Sequence, residues 1–277
     1  SERVFELPGN DRTYSCSLSP NAEFLSCLSL KGKEGEEKIA LTLRSVAKGD
    51  TVFSTDIASE PQDKESKDSE LQMLTLMSGA EAVSAFDEAA GKFFFIECDM
   101  KNKTSRLKSY DLKSGAVKQL FESFEIGAPL PLPGRKALLV SAIGQALADI
   151  NPDLTKGRFS ATGINKDSTF ALISYDGSII KKFDMPPIMH PVFQFRPPDA
   201  SVSPDSRLVS FTVGFKPAEA AASELMNPGK EELTYTLPAI LDLDKGTFEI
   251  LLTKPEDNLA AGMFLFNIDA LGLAKPY

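Results

Sequence analysis

The chain has 277 residues, of which 42% are hydrophobic and 25% charged, so its composition is that of a globular protein and not of a disordered or fibrous one. Its 30 Lys and Arg against 39 Asp and Glu give a formal net charge of −9. This balance disfavours nucleic acid and anionic membrane as main partners, because both are bound through clustered cations. No apolar run approaches the ~18–20 residues that cross a bilayer, so we expect no transmembrane segment.

The first predicted element is a hairpin with its turn near Asn21–Ala22. Pro20 presets φ at the second position of this turn, and Asn21 supports the bend. Cys16 and Cys27 flank the turn, so they could face each other across two antiparallel strands. The favoured interpretation is two small buried thiols that serve as hydrophobes, and a cross-strand disulfide is the alternative. Three cysteines, the third being Cys98, are too few for a disulfide scaffold.

A turn motif repeats along the chain. Ser109–Val117 and Ile240–Phe248 match closely, and each predicts a strand, an Asp-led turn that ends in Gly, and a second strand. Asp favours turn entry through side-chain bonds to the backbone, and Gly accepts the positive φ where the turn closes. Looser copies lie at Ser45–Gly49 and Ser174–Ser178. The turn glycines are Gly49, Gly115, Gly177 and Gly246.

A second repeat precedes these turns. Ser17–Ser26 resembles Ser201–Ser210, since both place Ser-Pro-Asx between two strand-like runs. Weaker relatives are Ala85–Glu88, Pro131–Gly134 and Gly163–Asp167, each followed by an apolar run. Together the two repeats predict a unit of four strands: strand, Ser-Pro-Asx turn, strand, variable loop, strand, Asp-led turn, strand. This unit is a four-stranded antiparallel meander.

Small sheets of this kind are expected to stack radially as blades. The Ser-Pro-Asx hairpin followed by Asp-Leu-x-x-Gly resembles the TolB-type, WD-like propeller repeat, best over Ser17–Ser29 with Ile39–Ser54, Val83–Glu122 and Ala200–Leu252. Ala22 and Ser206 stand where that hairpin usually has Gly. We therefore expect an all-β propeller of four-stranded antiparallel blades, as one domain over residues 1–277. The glycine turns give four blades and the hairpins five; about five is the favoured number, within a range of four to six.

Three segments are predicted as insertions. Ser59–Glu70 contains no apolar residue and predicts a solvated loop. Gly144–Gly157 predicts a long connection, with a helical turn near Ala146–Ile150. Lys216–Lys230 contains the best helix pattern of the chain, Pro217–Met226, with Pro at a tolerated first position. We expect these insertions to supply the variable surface of the propeller.

The sequence offers little that could carry catalysis. A Ser-His-Asp arrangement needs a His as base, and the one His of the chain, His190, lies in a Pro-rich connection. No Gly-x-Ser-x-Gly elbow and no zinc spacing of His and Cys occurs. Asp242–Gly246 resembles the start of a calcium loop, but the ligands at its fifth and twelfth positions are missing. We predict no catalytic residue, no metal and no cofactor.

The sequence thus favours a non-enzymatic scaffold that binds a protein or peptide partner. The candidate binding residues are His190, Gln194, Arg196, Glu219 and Glu224. The resemblance to TolB-type repeats implies a bacterial cell envelope setting, periplasmic or secreted. The chain begins with Ser1 and shows no signal peptide, which fits either a mature exported protein or a shortened chain. The alternative is a propeller enzyme, a hydrolase or lyase acting on a saccharide or peptide, with a site at the central channel. The sequence predicts no oligomeric state.

Overall fold

The fold was obtained as a computed structural model. It describes residues 12–32, 38–59, 79–99, 102, 104–123, 125–143, 151–153, 158–160, 168–184, 200–215 and 235–250. These residues form strands almost throughout, with one short helix, α1 (Ala80–Val83), and one 3-10 turn, Pro133–Arg135. The expected all-β class is confirmed. The sequence also predicts terminal strands at Val4–Leu7 and Met263–Ile268, and these two ranges, like the helix predicted at Pro217–Met226, lie outside the described residues.

The strands form four antiparallel sheets in chain order, which we call blades 1 to 4. Blade 1 contains β1 (Arg12–Leu18), β2 (Phe24–Lys31), β3 (Lys38–Ser45) and β4 (Thr51–Ser59). Blade 2 contains β5 (Ser84–Asp87), β6 (Lys92–Asp99), β7 (Thr104–Asp111) and β8 (Val117–Ser123). Each is a simple meander in which consecutive strands pair. The four-stranded antiparallel blade expected from the repeats is therefore confirmed.

Blades 3 and 4 vary this plan. Blade 3 orders β10 (Leu130–Leu132), β11 (Ala137–Ile143), β14 (Ser168–Ser174) and β15 (Ile179–Asp184), and β9 (Glu125–Ile126) also pairs with β11. Between β11 and β14 lies a separate two-stranded sheet of β12 (Asn151–Asp153) and β13 (Arg158–Ser160). Blade 4 contains β16 (Ser201–Val202), β17 (Leu208–Phe215), β18 (Tyr235–Asp242) and β19 (Thr247–Ile250).

The described residues thus contain four blades, the number given by the glycine turns and the lower end of the expected range. The hairpins predicted five blades because one of the five predicted hairpins was wrongly taken as the start of a blade. The segment at Gly163–Asp167 does not open a blade, because the apolar run after it is β14, which pairs directly with β11. Chain from 144 to 167 is therefore an insertion between the second and third strands of blade 3. The helical turn predicted near Ala146–Ile150 lies outside the described residues.

The blades are held together by apolar side chains on facing sheets. β6 shows why a strand can read as a continuous apolar run: Phe93, Phe94 and Phe95 are at most 1% exposed, because a neighbouring blade covers each face of blade 2. The Phe53 ring of blade 1 contacts Phe95, and the Tyr175 ring of blade 3 contacts Phe94. A second cluster joins blades 3 and 4. The sequence predicts that the Phe93–Phe95 run is strand core and not a binding cage, and the burial of all three rings confirms the strand core.

The cysteine prediction needs a correction. Cys16 and Cys27 are direct partners in the β1–β2 register, with Cα atoms 4.1 Å apart, and they form a disulfide. The interpretation of two buried thiols was wrong, because Cys16 lies on the exposed face of β1 while only Cys27 is buried. Cys98 carries a buried thiol.

Candidate binding face

Each blade has one end built from two short turns, which we call its first turn (between strands one and two) and its second turn (between strands three and four). In the second turns Gly49, Gly115, Gly177 and Gly246 all have positive φ, between 73° and 91°, as the motif predicts. In blades 2 and 4 the turn starts with an Asp, Asp111 or Asp242, whose carboxylate accepts backbone N–H groups. Asp242 Oδ1, for example, accepts from the N–H groups of Asp244 and Lys245, both at 3.0 Å. These bonds favour the carboxylate, and the pKa of Asp242 is lowered, chiefly by the Lys245 N–H.

The first turns share an unexpected backbone feature. Their closing residues are Ala22, Gly91, Lys136 and Ser206, and each donates its N–H to the carbonyl three residues earlier. All four have φ between 48° and 65°, although only Gly91 is a glycine. In every blade the second turn also bonds to the first: the N–H groups of Val46, Leu112, Tyr175 and Leu243 donate to carbonyls at or beside these closing residues. The two short turns of a blade therefore form one unit.

The short turns of neighbouring blades contact one another. Between blades 1 and 2, Glu88 accepts a hydrogen bond from the Ser19 hydroxyl at 2.6 Å and from the Asn21 N–H at 2.7 Å. Between blades 2 and 3, the Tyr175 hydroxyl donates to buried Asp87 at 2.5 Å. Loss of hydration on burial, followed by this carboxylate, raises the pKa of Tyr175 well above its usual range.

The seam between blades 3 and 4 is held by cations of blade 3. Arg135 Nε donates to the Ser206 carbonyl at 2.5 Å, and Arg135 Nη2 donates to Asp244 Oδ1 at 2.6 Å. Lys181 Nζ donates to the carbonyls of Leu243 and Asp244 at 3.2 and 2.9 Å. The short turns of all four blades are thus joined on one side of the molecule, which we call the short-turn face.

The opposite ends of the blades carry the remaining connections, because successive antiparallel strands must alternate ends. We call this side the long-connection face, and define it by the described strand ends at Lys31 and Lys38, Ser59 and Ser84, Asp99 and Thr104, Ile143 and Ser168, Asp184 and Ser201, and Phe215 and Tyr235. All three predicted insertions join strands at this face: 59–70 follows β4, 144–157 follows β11 and 216–230 follows β17. The charged segment Lys31–Lys38 joins β2 to β3 at the same face.

The five candidate binding residues lie outside the described residues. His190, Gln194 and Arg196 fall between β15 and β16, and Glu219 and Glu224 fall between β17 and β18. Both connections begin and end at the long-connection face. The described strand ends that flank these two connections, Asp184 and Ser201 for the first and Phe215 and Tyr235 for the second, lie on the long-connection face.

A charged network occupies the described part of this face on blade 2. Arg106 contacts Glu97 at 3.5 Å, Asp99 at 3.2 Å and Glu122 at 2.8 Å, and Lys108 contacts Glu97 at 2.6 Å. The Asn102 side chain and backbone N–H, together with Arg106, lower the pKa of Asp99. The sequence analysis did not single out these residues. Acids at 97 and 99 and bases at 106 and 108, on two strands joined by a short turn, predict cross-strand ion pairs.

The Asp242–Gly246 turn is not arranged as a cation site. The Asp242 Oδ1 atom is used by two backbone N–H groups, and the Lys181 ammonium lies on the carbonyls of Leu243 and Asp244, where a cation would bind. Over the described ranges no group of three or more His, Cys, Asp or Glu residues could hold a metal ion. No helix within the same ranges is long and apolar enough to cross a membrane.

Comparison with known proteins gives the fold. No protein-family model matches the chain, and no curated protein matches it by sequence. Among solved structures, the β-propeller domain of the Trilobed protease from Pyrococcus furiosus is similar with a TM-score of 0.52 and 10% identity, over 90% of this chain and 59% of that chain. An acylaminoacyl peptidase in complex with Z-Gly-Gly-Phe-chloromethyl ketone is similar with a TM-score of 0.51 and 14% identity, over 88% of this chain and 33% of that chain.

The acylaminoacyl peptidase from Pyrococcus horikoshii gives a TM-score of 0.50 and 12% identity, over 88% of this chain and 33% of that chain. The chain thus spans between a third and three fifths of the length of the structures it resembles. At these identities the similarity shows the fold alone. Four meander blades, stacked in chain order and similar to a solved propeller domain, make this chain a β-propeller.

Proposed function

We propose that this propeller is a non-enzymatic scaffold whose long-connection face binds a protein or peptide partner. One observation carries the proposal: the strand ends that flank all three insertions lie on the same face, while the other face consists of short turns bonded to each other. Long connections on a rigid scaffold are where binding residues concentrate. His190, Gln194, Arg196, Glu219 and Glu224 are the residues we assign to the contact.

The charge of the chain indicates the kind of partner. The net charge is −9, and the described network on the long-connection face contributes three carboxylates against two cations. A partner with a basic surface would be attracted over a distance of about 8–10 Å at physiological salt, chiefly through its association rate. We therefore propose a basic protein or peptide.

We further propose that the repeats are of the TolB type and that the protein works in the bacterial cell envelope, periplasmic or secreted. The Cys16–Cys27 disulfide supports this location, because disulfides form and persist in oxidising compartments and are rare in the cytosol. Fractionation of the native host tests the location. Recovery of the protein in the cytosol with Cys16 and Cys27 reduced would contradict it.

Site-specific photo-crosslinking in the host tests the binding face. A photoreactive amino acid is placed at Glu219, Glu224 or Gln194 for the long-connection face. In matched variants it is placed at Lys113 or Lys245, which are exposed on the short-turn face. We expect an adduct of one defined mass from the first set and none from the second. Adducts from the short-turn positions alone, or from no position, would contradict the proposal.

The similar structures favour an enzyme as the second candidate function. The similar chains are those of a protease and of acylaminoacyl peptidases, and they are longer than this one. The chain would then be a propeller enzyme, a hydrolase or lyase acting on a peptide or saccharide at the central channel. Turnover of a chromogenic peptide or glycoside that is lost in His190→Ala, with no adduct in the crosslinking experiment, would favour this candidate.

A further inference from the structure

The two faces of β1 differ sharply. One face bonds to blade 2: the Ser15 hydroxyl oxygen accepts the Ala80 N–H at 2.9 Å, and the Ser17 hydroxyl donates to Glu81 Oε1 at 3.1 Å. The other face carries Tyr14, Cys16 and Leu18, and all three are exposed. Cys16 therefore lies between the two serines that attach α1, but on the side that solvent reaches.

The disulfide consequently has one accessible and one protected end. Cys16 is exposed, whereas Cys27 on β2 is 2% exposed. A thiolate from solution reaches the Cys16 sulfur first, and access is one of the factors that decide which sulfur of a disulfide is attacked. The burial of Cys27 in the sheet therefore makes Cys16 the sulfur that a reductant attacks.

A hydroxyl group lies beside the protected end. Thr42 on β3 is the direct cross-strand partner of Cys27 and is 9% exposed. Directly opposed residues have Cβ atoms about 4.5–5.5 Å apart and share a face of the sheet. The Thr42 hydroxyl lies 3.4 Å from the Ser54 hydroxyl, and rotation about its Cα–Cβ bond would bring it within reach of a negative charge that forms on the Cys27 sulfur. A hydrogen bond to that thiolate would favour its departure, since burial alone disfavours a charged sulfur.

We propose that Cys16–Cys27 is a thiol-exchange site for a dithiol reductant. The reductant thiolate forms a bond to Cys16 Sγ as the Cys16–Cys27 bond breaks, and Cys27 leaves as a thiolate that takes a proton from water. The second thiolate of the reductant then attacks the reductant sulfur that is bonded to Cys16. Cys16 leaves as a thiolate and is protonated. The reductant is oxidised to a disulfide by two electrons, and the chain is left with two thiols.

Opening this bond loosens β1. Among the described residues β1 pairs with β2 alone, and a bulge between Thr13 and Ser15 interrupts that ladder. Without the covalent link, β1 separates from β2 more readily and carries Ser15 and Ser17 away from α1. Because α1 follows the connection that begins at Ser59, exchange at Cys16 alters the long-connection face. Only this last step rests on the proposed function.

Hydrogen–deuterium exchange of the full-length protein tests the site. The oxidised protein is compared with protein reduced by dithiothreitol without denaturant, with thiols alkylated and counted. We expect two thiols to appear from Cys16 and Cys27, and faster deuterium uptake in peptides covering 12–18 and 79–83. Uptake over β7 and β8 of blade 2 (104–123) serves as the internal control and should not change. Reduction only at the rate of global unfolding, or unchanged uptake at 12–18, would overturn the proposal.

Two substitutions test the role of Thr42. Thr42→Val keeps the shape of the side chain and removes the hydroxyl, so reduction by dithiothreitol should slow about three- to tenfold, the worth of one hydrogen bond. Ser29→Ala, which removes a buried hydroxyl on β2 two residues from Cys27, should leave the rate unchanged. An unchanged rate in Thr42→Val overturns the role of Thr42. Neither measurement involves a partner, so a negative result for the exchange site does not contradict the proposed binding face, which the crosslinking experiment tests separately.

Discussion

Single residues in the first turns hold a conformation that their side chains disfavour. Ala22 has φ 56° and Lys136 has φ 48°, in the left-handed region where a Cβ atom crowds the following carbonyl oxygen. Gly91 occupies the same turn position in blade 2 and adopts φ 65° without a Cβ atom. The seam and turn hydrogen bonds therefore impose a backbone that costs about 1–2 kcal/mol in a residue other than Gly.

Replacing these residues by Gly should stabilise the protein. Both side chains are exposed, so Ala22→Gly and Lys136→Gly remove strain and lose little packing. After the greater entropy of Gly in the unfolded chain is subtracted, we expect a gain of about 0.5–1 kcal/mol in the free energy of unfolding by urea. Ala90→Gly is the matched control, exposed in the same kind of turn without positive φ, and should lose about 0.4–1 kcal/mol. Equal losses in all three variants would contradict the strain.

The aspartates of the second turns should make stability depend on pH. Hydrogen bonds from the Ser174 hydroxyl and then the Ser178 N–H lower the pKa of Asp176 to about 2, against about 3.9 in an unfolded chain. As the pH falls below about 4, the unfolded chain binds the proton first, so the stability contributed by Asp176 is lost towards pH 2.

When the pH is lowered from 5 to 3, the urea midpoint of Asp176→Asn should therefore fall by less than that of the unsubstituted protein. Ser174→Ala removes the donor with the largest effect on the pKa of Asp176, and should reduce the pH dependence in the same direction. Both variants also lower stability at pH 5, so the readout is the difference between the two pH values. An unchanged difference in both variants would show that this turn does not contribute to the pH dependence.

Seams between blades depend on a few side chains that cross from one element to the next. Arg135, in the first turn of blade 3, bonds to the Ser206 carbonyl and to Asp244 in the two turns of blade 4. Arg135→Met should cost about 1–2 kcal/mol, because it leaves the Ser206 carbonyl without a charged donor in a partly buried seam. Arg207→Met is the control: its Nε is 3.9 Å from Asp242 and its side chain is 48% exposed, so we expect less than about 0.5 kcal/mol. Equal costs in urea unfolding would contradict the assignment of Arg135 to the seam.

The elements show how far the sequence alone predicts this fold. Turn chemistry is local, so the four turn glycines predict the positions of all four second turns and the number of described blades. Strand pairing is not local: the run Phe170–Ile173 reads as a strand after a hairpin, but its partner is β11, across more than twenty residues of insertion. The sequence also indicates that Cys16 and Cys27 could face each other across a hairpin, but the choice between a disulfide and two buried thiols depends on the β1–β2 register, which makes them direct partners. The binding residues themselves fall in connections that carry no periodic pattern.

At the scale of the whole molecule, the contacts that stabilise the propeller lie in different places from the insertions that we propose for binding. Over the part of the chain that the structure describes, hydrogen bonds that join blades are concentrated on the short-turn face, and apolar contacts lie between the sheets. The insertions can therefore change length at little cost to folding, because the entropy of closing a loop rises only with the logarithm of its length. This division explains how one scaffold carries connections as different as the polar 59–70 segment and the 144–167 segment with its own β-hairpin.

Shortening one insertion tests that division. Replacing residues 60–70, which contain no apolar side chain, by a short Gly-Ser segment removes no apolar burial from the fold. We expect a circular dichroism spectrum and a urea m-value equal to those of the full chain, and a free energy of unfolding changed by less than about 0.5 kcal/mol. The crosslinked adduct from Glu219 should become weaker. Deleting Gly115 from a second turn is the comparison, and it should unfold blade 2 because no other residue there accepts φ 73° without strain. A shortened protein that fails to fold would show that the 59–70 segment belongs to the scaffold.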